Sequence, residues 1–279
     1  MSGLRAGLLG RPVAESLSPL LHQTAGAWCG LEVEYRVADV GPEAAIHLMN
    51  AWRREGLRGF NITAPHKRAA ARWVDRCGPI AARAGAVNTV VCGEDGRTVG
   101  YNTDVDAFAQ TVGALPERVV VLGAGGAVRA VVVALLDRGV PRIELVNRSR
   151  DRALALAAAM GPERISVRGL DEADEALAGA ELVVNGLPAT ANPWICARRF
   201  GAMARGGRLF HLGYGPRVVP VREAVLAGSR KFDDGLEMLA RQGIAAFVHW
   251  TGLTPPLEPL LAALRVRCVI DTSRERIIK

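Results

Sequence analysis

The sequence predicts an α/β protein, and three observations predict it. The first is the stretch Val119–Arg148, which reads VVVLGAGGAVRAVVVALLDRGVPRIELVNR. An apolar run at Val119–Leu122 meets a glycine cluster, and a helical pattern runs from Ala127 to about Asp137. Gly139 and Pro141 break it, and a second apolar run begins at Ile143. This is the strand–turn–helix–strand unit of a right-handed parallel crossover. The second observation is that short apolar runs alternate with helical patterns along the rest of the chain. The third is that polar residues recur where a run gives way to a helix, the place where α/β folds bind ligands.

The glycines have a mechanical reason. Gly123 allows a tight turn off the strand, and Gly125 lets a pyrophosphate approach the backbone. The helix that follows points free N–H groups and its positive end at that anion. The pattern is that of a Rossmann-type doubly wound domain. Val128 stands where the fingerprint expects Gly or Ala, which predicts slightly wider spacing of helix and strand. At the end of the second strand an NAD site carries Asp or Glu. Here the residues are Asn147, Arg148 and Ser149, with Arg150 and Arg152 close behind. A carboxylate would repel a 2′-phosphate, whereas arginines pair with it. The reading is NADP(H), not NAD(H).

Length and composition bound the rest. The chain has 279 residues and is 49% hydrophobic, enough for two modest domains with real cores. The longest apolar run, near Val131, is interrupted by Arg129 and Asp137, so no membrane span is expected. No secretory pattern opens the chain, and Cys29, Cys77, Cys92, Cys196 and Cys268 form no CxxC. A cytoplasmic protein with reduced thiols and no metal is expected. The net charge of +7 raises the question of nucleic acid, but the basic residues are dispersed and not interleaved with aromatics. Lysine is confined to Lys67, Lys231 and Lys279. A lysine inside a motif is then notable, because lysine can release its proton and arginine cannot.

In chain order, Leu4–Leu9 reads as a buried strand. Ser18 reads as the N-cap of a helix from Leu20 to about Trp28, with Pro19 at its first position. Ser16, two residues earlier, faces the same way on an extended segment, so the two hydroxyls could hold an anion together. Glu34–Val37 reads as a strand, Ala44–Arg54 as a helix and Leu57–Ile62 as a strand. That strand runs into Asn61-Ile62-Thr63-Ala64-Pro65-His66-Lys67. Lys67 falls in the first turn of the next helix, where the dipole opposes a cation and favours proton release. Asn88 and Thr89 open a hairpin turned at Asp95-Gly96. Its second arm ends at Asn102-Thr103-Asp104, where a helix starts. Pro116 marks a domain boundary. Beyond the dinucleotide unit, Leu182–Val184 and Leu209–Leu212 read as strands, and Asp171–Leu177 and Val221–Leu226 as helices. Gly235 opens a helix to about Trp250, and a last one runs from Thr254 to about Arg265.

These motifs together resemble the shikimate dehydrogenase family over essentially the whole length. Those that carry the resemblance are Ser16-Leu17-Ser18-Pro19, Asn61 to Lys67, Gly85-Ala86-Val87-Asn88-Thr89, Asn102-Thr103-Asp104, Gly123-Ala124-Gly125-Gly126-Ala127, Asn147-Arg148-Ser149, and Asp234-Gly235 through Gln242. The resemblance implies an N-terminal α/β substrate domain, residues 1–105 with 237–279, and a Rossmann NADP domain, residues 106–236, with a cleft at their junction. It implies reversible reduction of the 3-keto group of 3-dehydroshikimate by NADPH, on the chorismate route to the aromatic amino acids. By motif match, Ser16 and Ser18 hold the substrate carboxylate. Thr63, Lys67, Asn88, Asp104 and Gln242 bind the ring hydroxyls, and Asn61 and Tyr214 complete the substrate set. Gly123, Ala124, Gly125, Gly126, Ala127, Asn147, Arg148, Ser149 and Arg152 hold NADP, and Leu212, Gly235 and Met238 flank the nicotinamide. Lys67 and Asp104 form the catalytic dyad: hydride delivery builds negative charge on the ketone oxygen, and the amine quenches it.

The chain departs from the family pattern at several places. Glu15 stands for a usual His, His211 for Asp, Gly213 for a larger side chain, Gly186-Leu187-Pro188 for an Ala-Thr-Pro-like run, and Ala107 for Gly. The dyad is intact, while substrate identity stays open to quinate or an amino-substituted shikimate. A dinucleotide-binding regulator without catalysis is the reading from another class; a missing Lys or Asp would mark it. The expected partner is a small cyclic hydroxy acid, with no nucleic acid and no membrane, on a monomer or homodimer.

Overall fold

A computed structural model describes residues 3–277, with side chains to Val269. The chain forms two units by contact: Met1–Ala107 with Glu237–Val266, and Phe108–Leu236 with Arg267–Lys279. The grouping from Arg267 onward differs from the division expected from sequence. In the second unit a Cβ on Gly215 would stand 3.8 Å from Cys268 Sγ, so this part of the last helix packs there.

The first unit opens with β1 (Leu4–Gly10), α1 (Ser18–Trp28), β2 (Val33–Asp39), α2 (Pro42–Arg54), β3 (Gly59–Ile62) and α3 (Lys67–Trp73). There follow β4 (Arg76–Cys77), α4 (Pro79–Ala84), β5 (Thr89–Cys92), β6 (Thr98–Tyr101) and α5 (Asp104–Thr111). The sheet order is β2-β1-β3-β5-β6-β4. β1 pairs parallel with β2 and β3, while β5 pairs antiparallel with both β3 and β6. The hairpin at Asp95-Gly96 is therefore where the turn chemistry puts it. α2 shows why a helix forms here: Pro42 starts it, Glu43 and the Arg53-Arg54 pair suit its two poles, and Ala45, Met49 and Trp52 are buried along one face. They meet Leu9, Phe60, Ile62 and Val90 in the core. Each large side chain so buried contributes about 1.5–3 kcal/mol.

β2 is an edge. Its Glu34 and Arg36 are charged and link it to β1 and to the end of α2: Arg5 Nε donates to Glu34 Oε2 (3.2 Å), and Arg36 donates to Glu34 Oε1 (2.7 Å) and Glu55 Oε2 (2.5 Å).

The second unit contains β7 (Arg118–Leu122), α6 (Gly126–Asp137), β8 (Arg142–Val146), α7 (Arg150–Met160), β9 (Ile165–Arg168) and α8 (Ala173–Leu177). It continues with β10 (Leu182–Asn185), α9 (Asn192–Cys196), β11 (Arg208–His211), α10 (Val219–Ala227) and β12 (Lys231–Asp233). Then come α11 (Leu236–Thr251), where it was expected, and α12 (Leu257–Ile277), which runs beyond the expected end near Arg265. The sheet order is β12-β11-β10-β7-β8-β9, and every pairing is parallel. The first strand lies at the centre, with the chain wound outward to one side and then the other; the reversal falls between β7 and β10. Val119–Leu122 are fully buried, as a parallel strand covered on both faces requires. Among the described residues, no helix is long and apolar enough to cross a membrane.

Candidate active site

In the first unit the polar residues gather at the carboxyl ends of β1 and β3. Gly10 ends β1, and a Cβ there would overlap Thr63 Cγ2 and stand 2.9 Å from Val13 Cγ1. Glycine thus lets the Thr63 loop close over the strand. The loop is held by Thr63 N–H to Leu9 O (3.0 Å) and Arg11 N–H to Ala64 O (2.8 Å). A ring N–H of His66 donates to Val40 O (2.8 Å). Asp39 accepts from Val13 N–H (3.1 Å) and Arg11 Nε (2.9 Å), which fixes the segment leading to Ser16.

α1 begins at Ser18 itself, with Leu17 before it and no side-chain cap, contrary to the reading of Ser18 as N-cap. Ser16 takes part of that job: its Oγ accepts from Ser18 N–H at 3.2 Å and donates to Ser18 Oγ at 3.1 Å. The two hydroxyls do lie side by side.

Lys67 is the first residue of α3, and its carbonyl accepts from Val87 N–H (2.9 Å), tying the helix to the segment that carries Asn88. Its Nζ donates to Asp104 Oδ2 at 2.6 Å, and both side chains are buried, 11% and 8% exposed. Asp104 opens α5, and its N–H donates to Asn102 Oδ1 (3.2 Å). Asn88 Nδ2 donates to Asp104 Oδ1 (2.8 Å) and Thr103 Oγ1 (2.9 Å), and lies 3.4 Å from Gln242 Oε1. Asn88 Oδ1 accepts from Thr103 N–H (2.8 Å) and from Thr89 Oγ1 (3.1 Å). The carboxylate therefore stands between an ammonium and an amide, ready to orient a proton donor.

Asn61, read from sequence as a substrate ligand, is fully engaged within the protein. Its Oδ1 accepts from Tyr35 Oη (2.8 Å) and meets His22 Nε2 (3.1 Å), while its Nδ2 donates to Asn88 O (3.2 Å) and Thr89 Oγ1 (3.1 Å). Neither Tyr35 nor His22 is among the residues that the sequence motifs single out. The available signal was that His22 lies four residues after Ser18, on the same face of α1.

In the second unit Gly123 leaves β7 with φ +108°, a conformation that favours glycine. Gly125 is the N-cap of α6, no side chain caps that helix, and a Cβ at Gly125 would meet nothing within 4 Å. Ala124 lies in the turn, and Gly126 and Ala127 open α6, so its first N–H groups are left for an anion. At the end of β8, Asn147 Nδ2 donates to Ser149 O (2.8 Å), and Ser149 caps α7 by accepting from Arg152 N–H (3.4 Å). Arg150 is taken by Glu172, whereas Arg148 and Arg152 are exposed beside this helix start.

Two of the family departures are answered inside the unit. A Cβ at Gly186 would overlap Val128 Cγ2 and stand 3.1 Å from Leu212 Cδ1. Room for the branched Val128 thus comes from a glycine on the loop after β10. A Cβ at Gly213 would lie 3.0 Å from His211 Cε1 and 3.1 Å from Nδ1, and Gly213 N–H donates to that Nδ1 at 2.8 Å. Burial pushes His211 down to about 4, so a neutral ring accepts where a carboxylate would. Gly235 N–H donates to Gly213 O (2.9 Å), and a Cβ at Gly235 would overlap Leu212 O. Tyr214 lies in this unit, and Met238 is buried on the part of α11 that belongs to the first.

A doubly wound sheet with an uncapped glycine-turn helix, carried on one chain with a second sheet whose helices bear a buried amine–carboxylate pair, is the build of a nicotinamide-dependent dehydrogenase. Three family models match: the shikimate dehydrogenase substrate binding domain over residues 8–90, shikimate / quinate 5-dehydrogenase over 108–205, and the shikimate 5′-dehydrogenase C-terminal domain over 235–265. The shikimate dehydrogenase (NADP(+)) of Rhodospirillum rubrum is 39% identical over 276 residues, covering 92% of this chain and 95% of that one. The chain belongs to the shikimate dehydrogenase family. The shikimate 5-dehydrogenase of Thermus thermophilus, solved in complex with NADP(H) and shikimate, superposes with a TM-score of 0.81 at 38% identity, covering 95% of this chain and 99% of that one. The quinate dehydrogenase of Corynebacterium glutamicum, solved with NAD, gives 0.82 at 28% identity, covering 95% and 100%.

Proposed function

We propose that the chain catalyses the reversible NADPH-dependent reduction of 3-dehydroshikimate to shikimate. The observation that carries this is the buried Lys67–Asp104 pair, 2.6 Å apart, in a chain that also bears the dinucleotide turn. NADPH, when bound, supplies the hydride. The residues around Gly123–Ala127 fit its pyrophosphate, because Gly125 leaves open space and α6 lacks a side-chain cap. Arg148 and Arg152 hold the 2′-phosphate, with Asn147 and Ser149 shaping the turn. Leu212, Gly235 and Met238 flank the nicotinamide.

Ser16 and Ser18 bind the substrate carboxylate, and Thr63, Asn88, Gln242 and Tyr214 the ring hydroxyls. Lys67 Nζ donates a proton to the ketone oxygen as charge builds there, and in the oxidation direction takes the hydroxyl proton back. Asp104 holds the amine in line. The enzyme is read as cytoplasmic, monomeric or homodimeric; its five free cysteines support a reducing compartment.

The test is a panel of shikimate, quinate and amino-substituted shikimate with NADP and with NAD. Shikimate with NADP should lead, and a preference for NAD would remove the role of Arg148. Lys67→Ala should lower kcat by about a hundredfold or more with shikimate binding largely kept. Normal turnover by that variant would end the acid–base assignment.

A further inference from the structure

We propose that His22 and Tyr35 are positioning residues for the Lys67–Asp104 pair, acting through Asn61, which supports Asn88 and does not hold substrate. This rests on the dehydrogenase function above. The orientation of the Asn61 amide follows from one acceptor. The Asn88 carbonyl can only accept, and Asn61 Nδ2 lies 3.2 Å from it, so the Asn61 amide nitrogen faces that side. Thr89 Oγ1 accepts from the same Asn61 nitrogen (3.1 Å), and its own proton goes to Asn88 Oδ1 (3.1 Å) or Thr103 Oγ1 (3.4 Å). Asn61 Oδ1 must then face His22 and Tyr35, and both donate to it. Asn61 has two donors and two acceptor sites, and all are used. A substrate hydroxyl could bind it only by breaking one of these bonds.

The chain of contacts leads on. Thr103 N–H donates to Asn88 Oδ1 (2.8 Å), which turns Asn88 Nδ2 toward Asp104 Oδ1 (2.8 Å), and Asp104 Oδ2 accepts from Lys67 (2.6 Å). His22 can donate without a positive charge: its ring is fully buried, stacks on Tyr35 at 4.6 Å and lies 5.1 Å from Trp250. Burial pushes its pKa down to about 3, against the upward pull of the Asn61 bond. Without the two donors, the Asn61 oxygen is left buried and unpaired, and the amide is held only through its nitrogen. The amide then shifts to recover a partner, and the seat of Asn88, whose amide orients Asp104, loosens with it.

Tyr35→Phe is the clean variant, because it removes one oxygen and keeps the ring against His22. We expect kcat to fall about tenfold, with a smaller rise in KM for shikimate because Asn88 also meets a ring hydroxyl. The double variant Tyr35→Phe/Asn61→Ala should be no worse than Asn61→Ala alone. A readout free of turnover comes from ¹³C-lysine labelling: the chain has three lysines, so the Lys67 ¹³Cε signal can be followed alone. It should move in Tyr35→Phe while Lys231 and Lys279 stay put. Two results overturn the proposal. One is an unmoved signal with wild-type kcat in Tyr35→Phe. The other is an Asn61→Ala variant that raises KM alone and loses its defect against a shikimate analogue lacking one ring hydroxyl. If Asn61→Ala does not fold, Tyr35→Phe carries the test. A wild-type enzyme inert toward every acid of the panel would sink the proposed function, while the Lys67 signal still decides the structural link.

Discussion

Gly186→Ala is the sharpest single test of how the dinucleotide unit is packed. The added methyl would overlap Val128 Cγ2 and press on Leu212 Cδ1 at 3.1 Å, where ordinary carbon contact begins near about 3.5 Å. Val128 is fully buried on α6, and a β-branched residue in a helix has one preferred rotamer, so it cannot swing aside cheaply. Overpacking of this kind costs about 1–3 kcal/mol. Val128→Ala alone should cost about 2 kcal/mol, from two lost methyl groups and the space they leave. In the double variant the new methyl enters that space, so Gly186→Ala should add little or even restore stability. The expected coupling is about 1–2 kcal/mol. Urea titration read by ¹⁹F-labelled tryptophan would measure it, because Trp194 packs on the core of this unit and the other tryptophans, at 28, 52, 73 and 250, lie in the first. Costs that simply add, within about 0.5 kcal/mol, would refute the idea that one departure makes room for the other.

Two further outcomes are expected. Arg148→Ala should raise the Kd for NADP by about tenfold or more, the worth of one charge-assisted bond, and leave the Kd for NAD unchanged; isothermal titration with both coenzymes checks this. His22 and His211 are held by burial near about 3 and about 4, below the ordinary 6.5. The unfolded chain therefore takes up these protons first, and stability is full above pH 6.5 and falls as the pH drops toward 4. Each ring adds about 1.4 kcal/mol per pH unit to that loss. His211→Asn should remove one proton's share of the slope in urea midpoints measured between pH 7 and pH 4.5; an unchanged slope would count against a neutral His211.

The parallel unit was legible because its signals are local. β7, its glycine turn and α6 lie in one stretch, and each obeys a period or a steric rule that a short window displays. β12 was not legible: Lys-Phe-Asp is too short and too charged to stand out, and it is a strand only because β11 offers an edge. Ser18 was misread because a serine before a proline suits an N-cap, whereas the hydroxyl that bonds at this helix start is that of Ser16. Lys67 and Asp104 could be singled out by residue type and element ends, but their 2.6 Å contact depends on α3 and α5 meeting. The saturation of Asn61 was invisible for a stronger reason. Its partners come from α1, β2, the residue before β5 and β5 itself, and only the folded arrangement shows that no donor or acceptor is left over. Likewise Val128 and Gly186 look like unrelated oddities until their atoms are placed.

The charged rungs along β2 bear on how the protein should be handled. An open strand margin invites a second chain to add on, and alternating acids and bases are one guard against it. Here that guard is built from solvent-facing pairs, which added electrolyte screens within about 10 Å at 0.1 M. Concentrated salt during purification should therefore promote self-association along this margin, and dilute buffer should keep the molecules apart.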